Sequence, residues 1–393
     1  MNKNECCGCT ACLHVCPVGC ITMQEDEEGF LYPIIEKENC IHCHKCQKVC
    51  PVRNADSVNV KTETFVGYSK DEEIRKQSSS GGIFSVIAEW ILQQGGVVFG
   101  AAFDKNFEVY HVAIEKKKDL VKLRGSKYVQ SRLENVYPEV KQYLEIKRKV
   151  LFTGTACQIA GLKKYLQKEY DNLYTVDVLC HGVPSPKIWR MYLEDKKTQY
   201  GAEIEKYEFR NKQNGWNNYL VNIEFSDMQR YCVHYYEDKF MRMFLDNIDL
   251  RPSCYACRFK GFPRASDMTI GDSWGIENYM PDINDDKGTS VILVHSSKGE
   301  KMFKEIRENL IVREVELEKV LPLTADSRRS VEMHPNRKKY WKSVKNGENF
   351  DVLYEYVQKN FRQKIISFMR YMEIRLKLKR ERSIKKKWNK IKD

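Results

Sequence analysis

The chain has 393 residues, of which 42% are hydrophobic, which is enough to form the cores of two or three domains. The sequence contains no run of about 18 consecutive apolar residues, so it predicts no segment that crosses a bilayer. The net charge of +12 is confined to one end, because residues 359–393 hold 14 Lys and Arg against 3 Asp and Glu, whereas the other 358 residues hold 52 against 51. The body of the chain is therefore close to neutral, and we expect no specific nucleic-acid partner.

The first 51 residues contain two copies of the pattern Cys-x-x-Cys-x-x-Cys-x-x-x-Cys-Pro. This spacing is typical of bacterial two-cluster ferredoxins, in which the fourth cysteine of each run crosses over to the cluster of the other run. Zinc is the alternative metal, but a zinc ribbon needs four cysteines rather than two interlocked sets of four. The pattern therefore predicts two 4Fe-4S clusters, one bound by Cys6, Cys9, Cys12 and Cys50, and the other by Cys40, Cys43, Cys46 and Cys16.

Cys7 and Cys20 lie outside this pattern, and we predict that each is a buried or spare thiol. The metal-binding spacing and the lack of a signal peptide favour reduced thiols in the cytoplasm.

After a polar linker at residues 52–61, the sequence predicts a strand at 65–68, a helix from Ile83 and a strand at 97–101. The helix is preceded by Ser78-Ser79-Ser80-Gly81-Gly82, which either presents backbone amides to a phosphate or is a simple N-cap.

A second predicted strand-containing unit, with a strand at 109–114, leads to the polar stretch 124–131. Its Ser126, Lys127 and Tyr128 are candidates for binding a nucleotide or flavin, and a solvated turn is the alternative.

Two further cysteines follow predicted buried strands. Cys157 begins a helix after the strand at 150–153, and Cys180 follows the strand at 173–179. Ligands of open alternating sheets bind at the carboxyl edge of the strands, so both thiols are expected at one rim. We also expect the pKa of Cys157 to be lowered by the helix N-terminus.

The stretch 204–234 predicts antiparallel strands, with Cys232 in the core, and a helix at 238–245 follows. The pair Cys254-x-x-Cys257 comes next, and its spacing alone is compatible with zinc, a redox dithiol or a cluster. With Cys157 and Cys180 it would complete a third cluster if the fold brings all four cysteines together.

The last predicted globular elements are a strand at 291–294, a helix at 298–309 and a strand at 311–315. Residues 351–388 predict one basic amphipathic helix, which would contact an anionic membrane surface or an acidic partner, or pack as an ordinary terminal helix.

The predicted domains are 1–55, 62–330 and 335–393. The fold class is α/β with α+β elements: a small ferredoxin-like domain, a larger domain with a mixed sheet and a basic C-terminal helix. The predicted location is cytoplasmic, with possible peripheral contact at the inner face of the membrane.

The chain resembles the beta-subunit family of the coenzyme F-420 (deazaflavin) hydrogenases and dehydrogenases over residues 1–330. The matching features are the double cysteine run, Ser80-Gly81-Gly82, Gly125-Ser126-Lys127-Tyr128, Gly154-Thr155-Ala156-Cys157-Gln158, Cys180-His181-Gly182, Cys254-x-x-Cys257, Ala265-Ser266-Asp267 and Gly271-Asp272-Ser273-Trp274. Ala156 replaces the usual proline of its motif. The Gly271–Gly275 stretch and the basic tail resemble family members from bacteria that do not make the deazaflavin, and these members are often found near surface-polysaccharide genes.

The resemblance implies a large flavin-binding domain that carries FAD beside a further 4Fe-4S cluster. The implied ligands of that third cluster are Cys157, Cys180, Cys254 and Cys257, and the implied FAD contacts are Ser80, Gly81, Gly82, Ser126, Lys127, Gly154 and Thr155.

The first functional hypothesis is an iron-sulfur flavoprotein oxidoreductase that passes electrons through its clusters to FAD and a two-electron substrate. His181 is then either a proton donor or a structural histidine, and no catalytic residue is assigned. The alternatives are a non-catalytic subunit that relays electrons to a redox partner, and a scaffold protein of a polysaccharide pathway that is held together by its clusters.

Overall fold

The computed structural model describes residues 2–54, 62–322, 325 and 327–358. The strands are β1 Ile21–Glu25, β2 Leu31–Ile35, β3 Glu63–Ser69, β4 Val97–Phe103, β5 Val109–Ile114, β6 Val150–Thr155, β7 Leu173–Val178, β8 Ile204–Asn211, β9 Leu220–Phe225, β10 Arg230–His234, β11 Met268–Asp272, β12 Ser290–Val294 and β13 Leu310–Glu314. The α-helices are α1 Ala11–Val15, α2 Lys45–Lys48, α3 Glu72–Lys76, α4 Ile83–Gln93, α5 Leu120–Leu123, α6 Val136–Glu145, α7 Ala156–Leu166, α8 Pro186–Tyr200, α9 Lys239–Leu245, α10 Ile276–Tyr279, α11 Ser297–Ile306, α12 Leu317–Val320, α13 Arg337–Lys345 and α14 Phe350–Glu355.

The centre of the molecule is an eight-stranded mixed sheet in the order β13-β3-β12-β11-β7-β6-β4-β5. Four adjacent strands, β11, β7, β6 and β4, run parallel, and the strands outside them pair antiparallel. The carboxyl ends of β6, β7 and β11 therefore open at one edge, which is the edge predicted to bind ligands.

Side chains alternate between the two faces of this sheet, because successive strand residues point in opposite directions. One face packs against α4 and α11, with Val98 and Leu151 in the same apolar cluster. The other face packs against α6 and α7, with Phe99 and Phe152 in a cluster that also includes cysteines of the N-terminal segment.

A separate antiparallel sheet has the strand order β10-β9-β8 and packs with α8 and α9. The antiparallel prediction for residues 204–234 is therefore confirmed. The prediction that Cys232 lies in the core is wrong, because Cys232 lies on the edge strand β10 and is only partly buried.

The C-terminal part of the described chain differs from the predicted long helix. The helix at 351 ends at Glu355, and an additional helix, α13, precedes it. Tyr340 and Leu353 are fully buried in the core of the small sheet, so the region after residue 335 begins as part of the globular body. The remainder of the predicted basic helix, residues 359–388, lies outside the described residues.

The architecture confirms the predicted α/β fold class with a mixed sheet. In the described ranges, no helix combines the length and the apolar character needed to cross a bilayer.

Candidate iron-sulfur and cofactor site

The first predicted set of cluster cysteines surrounds a small cavity within the N-terminal segment. Cys6, Cys9, Cys12 and Cys50 all line this cavity. The structure therefore brings together the first three thiols of one run and the fourth thiol of the other, which is the crossover arrangement expected from the spacing.

The second set lies nearer the surface. Burial and the neighbouring charges of Cys43, Cys16 and Cys40 raise the pKa of Cys46, so these four thiols are neighbours. Cys20 is buried beside them, with its Sγ 3.4 Å from the Sγ of Cys16.

Among the described residues, no three His, Cys, Asp or Glu side chains converge on a point that could hold a single metal ion. A 4Fe-4S cluster does not require such convergence, because each of its four thiolates binds a different iron.

A cavity of about 1200 Å³ opens at the carboxyl edge of the large sheet. It is lined by all four cysteines implied for a third cluster, Cys157, Cys180, Cys254 and Cys257. Cys157 lies at the start of α7 and Cys180 follows β7, whereas the other two belong to the segment before β11. The topology thus brings two rim loops and a distant Cys-x-x-Cys segment to one place.

The helix N-terminus is expected to lower the pKa of Cys157, but in the structure this pKa is raised. The neighbouring Cys7 thiol, together with burial, raises that pKa well above the usual value. Burial likewise raises the pKa of Cys180 to about 12. Desolvation disfavours the thiolate more than the short helix end favours it.

Two cationic side chains lie beside this cysteine group. The Lys260 ammonium donates to the backbone carbonyls of Cys180 and His181, and the Arg264 guanidinium is paired with the buried carboxylate of Asp177. Their charges act against burial on Cys180 and lower its pKa. Such cations favour an anionic thiolate-ligated group, so the donor set and its surroundings fit a cluster.

The predicted FAD contacts divide into two groups. Six of the seven line the cavity, namely Ser80, Gly82, Ser126, Lys127, Gly154 and Thr155. Gly81 is buried instead, and its amide donates to the Ser290 hydroxyl at 3.0 Å. A side chain there would meet the carbonyl oxygen of Gly67 at 2.6 Å, so this glycine is required for close packing between chain segments.

Several polar groups of these candidates already have protein partners. The half-buried Lys127 ammonium donates to the carbonyls of Leu123, Arg124 and Gly125, and desolvation lowers its pKa to about 7. The Ser126 amide donates to the Ser79 hydroxyl at 2.7 Å. These contacts order the loop that borders the cavity. The backbone at Gly125 is open, unlike the residues that contact other parts of the protein: its φ is +81°, and no atom lies within 4 Å of the position that a Cβ would occupy.

The cavity wall carries more positive than negative charge. Its only ionisable carboxylates among the described residues are Glu5 and Asp272. Its cationic side chains are Arg124, Lys127, Arg251, Arg258, Lys260 and Arg264. This balance and the cavity volume fit a large anionic ligand such as the pyrophosphate-containing FAD.

The far wall of the cavity is aromatic and is held by a buried ion pair. The Arg210 guanidinium binds both oxygens of Asp272, at 2.8 and 3.2 Å, and lies over the rings of Tyr219 and Trp274. Trp274 stacks on the buried Trp216 at a centroid distance of 4.5 Å and remains 46% exposed toward the cavity. The Gly271–Trp274 motif therefore supplies a flat apolar surface that could support a planar ring system.

The N-terminal segment is joined to the larger domain next to the cysteine group. The buried Arg251 guanidinium donates to the carbonyls of Cys6 and Leu31, at 2.7 and 2.9 Å. On α7, Gly161 faces Cys9 so closely that an added side chain would lie 2.7 Å from the Cys9 Cβ and 2.9 Å from its Sγ. Helix α7 thus contacts the first cluster set and also carries Cys157.

His181 lines the cavity, and its Nε2 lies 2.6 Å from the Asn247 side-chain oxygen. Its ring also packs edge-on against Phe244. These contacts are those of a positioned histidine. Sequence reasoning did not identify Arg251, Lys260, Gly161 or the place of Cys7, since none belongs to a cysteine or glycine spacing pattern.

Comparisons with known proteins agree with this organisation. Residues 5–54 match the 4Fe-4S dicluster domain. Residues 64–137 and 147–320 match the N-terminal and C-terminal parts of the family described as "Coenzyme F420 hydrogenase/dehydrogenase, beta subunit". The chain belongs to this family of beta subunits and carries a two-cluster ferredoxin segment in front of it.

Two curated relatives are similar to the chain. The F420-dependent formate dehydrogenase 1 subunit beta of Methanococcus maripaludis is 23% identical over 266 residues, which is 65% of this chain and 62% of that protein. The coenzyme F420-dependent sulfite reductase of Methanocaldococcus jannaschii is 22% identical over 336 residues, which is 80% of this chain and 48% of that protein. The chain thus spans about half to three fifths of the length of these relatives.

Among solved structures, the chain is similar to one from the xenon-derivatised F420-reducing NiFe hydrogenase complex of Methanosarcina barkeri. The TM-score is 0.44 and the identity 19%, over 74% of this chain and 89% of that one. The family prediction and the presence of 4Fe-4S clusters in the N-terminal segment are confirmed by the family matches.

Proposed function

We propose that the protein is an iron-sulfur flavoprotein oxidoreductase that exchanges electrons between a one-electron carrier and a two-electron substrate. The observation that carries the proposal is the convergence of Cys157, Cys180, Cys254 and Cys257 on one large cavity directly beside the first cluster set. Clusters carry single electrons, whereas a flavin accepts one or two, so the bound groups would supply conversion between the two modes.

The residues of the chain have distinct tasks in this proposal. The eight N-terminal cysteines hold two clusters, and the four cavity cysteines hold a third. Lys260 and Arg264 offset the negative charge of the third cluster, which stabilises it in a site of low dielectric. Arg251 and Gly161 keep the N-terminal segment close to helix α7.

The cavity is proposed to bind FAD. Its excess of cationic side chains suits a pyrophosphate, and the loop from Arg124 to Lys127 provides an open backbone at Gly125. Trp274 offers an apolar face to a planar ring. The two-electron substrate would then enter from the open side of the same cavity.

The relatives suggest that the protein works with other subunits. One of them is named as subunit beta of a formate dehydrogenase. We therefore propose a redox partner protein. We also propose a cytoplasmic location, which rests on the metal-binding spacing of the reduced cysteines. A chain that only relays electrons to such a partner is the second candidate function, and it is favoured by the shared 4Fe-4S dicluster domain.

Cofactor content of the anaerobically purified protein tests the proposal. Three clusters correspond to about 12 iron atoms per chain and two clusters to about 8. About 12 iron atoms with one flavin per chain would support the oxidoreductase. About 8 iron atoms without flavin would favour the relay, and a value well below 8 would contradict the two-cluster assignment itself.

A further inference from the structure

The two cysteine runs of the N-terminal segment have the same backbone geometry. The second run follows the first with a constant offset of 34 residues, from Cys6 to Cys40 and from Cys16 to Cys50. At equivalent positions, Gly8 and His42 both have left-handed φ values, 71° and 54°. Thr10 and His44 likewise have φ values of 64° and 58°. The two runs therefore form equivalent loops, and differences in their surroundings can be compared position by position.

The loop around the first cluster set is covered by the larger domain. Cys7, Thr10 and Ala11, which lie between its ligands, are 9%, 6% and 0% exposed. Val52, which follows Cys50, is 5% exposed. The covering groups include Arg251 and helix α7.

The equivalent positions around the second cluster set are open. Ile41 and Val18, the counterparts of Cys7 and Val52, are 61% and 45% exposed. His44 and Lys45, the counterparts of Thr10 and Ala11, are exposed as well. Two apolar side chains thus remain uncovered at the position where the first loop has its interface with the larger domain.

The residues at the left-handed positions also differ in a way that matches this exposure. A side chain at Gly8 would meet the Arg251 guanidinium at 2.9 Å, so the covered loop requires glycine. The open loop has His42 in the same conformation, which is unfavourable for a residue with a Cβ. The covered loop thus has no room for a side chain at this position, whereas the open loop has an exposed one.

The charge of the open loop selects the kind of partner. Between Cys40 and Cys50 the exposed side chains include His42, His44, Lys45 and Lys48, and the stretch contains no carboxylate. Exposed lysine side chains in the same loop as an exposed apolar side chain are complementary to an acidic protein surface with an apolar centre.

We propose that the surface formed by Val18, Ile41, His42, His44, Lys45 and Lys48, here called the open-loop surface, is the docking site of a soluble acidic electron-carrier protein of the ferredoxin class. This inference rests on the proposed function, because it assigns the one-electron partner to the second cluster set. The carrier would cover the second set in the way that the larger domain covers the first.

The test is a binding titration with an acidic two-cluster bacterial ferredoxin, using the anaerobically purified full-length protein at several salt concentrations. We expect binding that weakens with salt, and the double substitution Lys45→Glu/Lys48→Glu should weaken it on the order of tenfold. The matched control is Lys301→Glu/Lys304→Glu, which makes the same charge change at two exposed positions of α11 and should leave the affinity unchanged. Ile41→Ser, which removes an apolar contact without changing charge, should weaken binding at every salt concentration.

Other outcomes would overturn the inference. These are no binding of the ferredoxin to the unmodified protein, equal weakening by both charge-changing variants, or equally strong binding of basic cytochrome c. Binding that persists at high salt would indicate a permanent subunit instead of a soluble carrier. The iron content of every variant is measured as well. This measurement distinguishes a loss of clusters, which would count against the proposed function, from a loss of docking alone.

Discussion

The thiols of Cys7 and Cys157 are neighbours across the contact between the N-terminal segment and helix α7, and each acts on the pKa of the other. Cys7 follows a predicted ligand of the first cluster, and Cys157 is an implied ligand of the third. Both line the large cavity. A side chain that spacing alone marks as spare therefore lies between the two proposed redox centres.

The first prediction separates the roles of these two cysteines. Cys157→Ser should lower the iron content from about 12 to about 8 atoms per chain, because the proposed third cluster would lose one of its four ligands. Cys7→Ser should leave the iron content unchanged, since Cys180, Cys254 and Cys257 still complete the set with Cys157. Iron analysis of anaerobic preparations measures both. A loss of four iron atoms in the Cys7 variant would instead make Cys7 a ligand.

The second prediction concerns the loop proposed to contact FAD. Gly125→Ala should reduce the flavin content of the purified protein by a large factor, because a Cβ at a φ of +81° forces the loop beside the cavity to change conformation. Gly201 provides a matched control, since it also has a positive φ, of +67°, and no atom within 4 Å, but ends α8 outside the cavity. Gly201→Ala should have a similar cost in stability, about 1–2 kcal/mol, and keep its flavin. Equal flavin content in both variants would contradict the assignment.

The third prediction concerns the ion pair behind the aromatic wall. Asp272→Asn should lower the free energy of unfolding by about 3 kcal/mol, because the Arg210 side chain, only 2% exposed, loses its charged partner. Glu25→Gln removes a pair with Arg190 in which both side chains are about 40% exposed, and should cost less than about 1 kcal/mol. Anaerobic urea unfolding followed by tryptophan fluorescence measures the difference. Similar losses of unfolding free energy in the two variants would show that the buried pair stabilises the protein no more than the exposed pair does.

The fourth prediction is a pH dependence of stability. His295 is buried between the hydroxyls of Thr62 and Thr269, and burial lowers its pKa to about 4. Above pH 6.5 this side chain is neutral in both the folded and the unfolded state. Between pH 6.5 and 4 the unfolded state takes up a proton that the folded state does not, so stability falls as the pH falls.

Replacing the histidine tests this sign. His295→Asn should lose about 3 kcal/mol less between pH 6.5 and pH 4 than the unmodified protein, because about 2.5 pKa units correspond to that free energy. Comparing the two proteins at each pH cancels effects of acid on the clusters. Parallel pH curves for both proteins would contradict the prediction.

Local sequence patterns predict the parts of this molecule that local chemistry controls. The eight N-terminal cysteines could be divided into two groups of four ligands because a short loop determines their spacing. Cys157 and Cys180 could be placed at one edge because parallel strands share their carboxyl ends. In contrast, β11 was not predicted, since five residues including Thr269 and Gly271 lack a long apolar run.

Other features depend on contacts between segments far apart in the chain. The strand order places β3 between β12 and β13, which neither periodicity nor spacing specifies. The Cys7 thiol and burial together override the effect of the helix N-terminus on the pKa of Cys157, and both depend on the whole fold. The polar partners of Lys127 are three backbone carbonyls, which no motif indicates.

Gly161 lies one helical turn after Cys157 and is in contact with Cys9. Because electron transfer between redox centres slows steeply as their separation grows, the missing side chain at this position would, under the proposed function, favour fast delivery of electrons from the N-terminal segment. A single added methyl group would force the N-terminal segment and α7 apart at the Cys9 side chain. In the proposed electron path, the separation of the first cluster set from Cys157 therefore depends on one atom that the helix lacks.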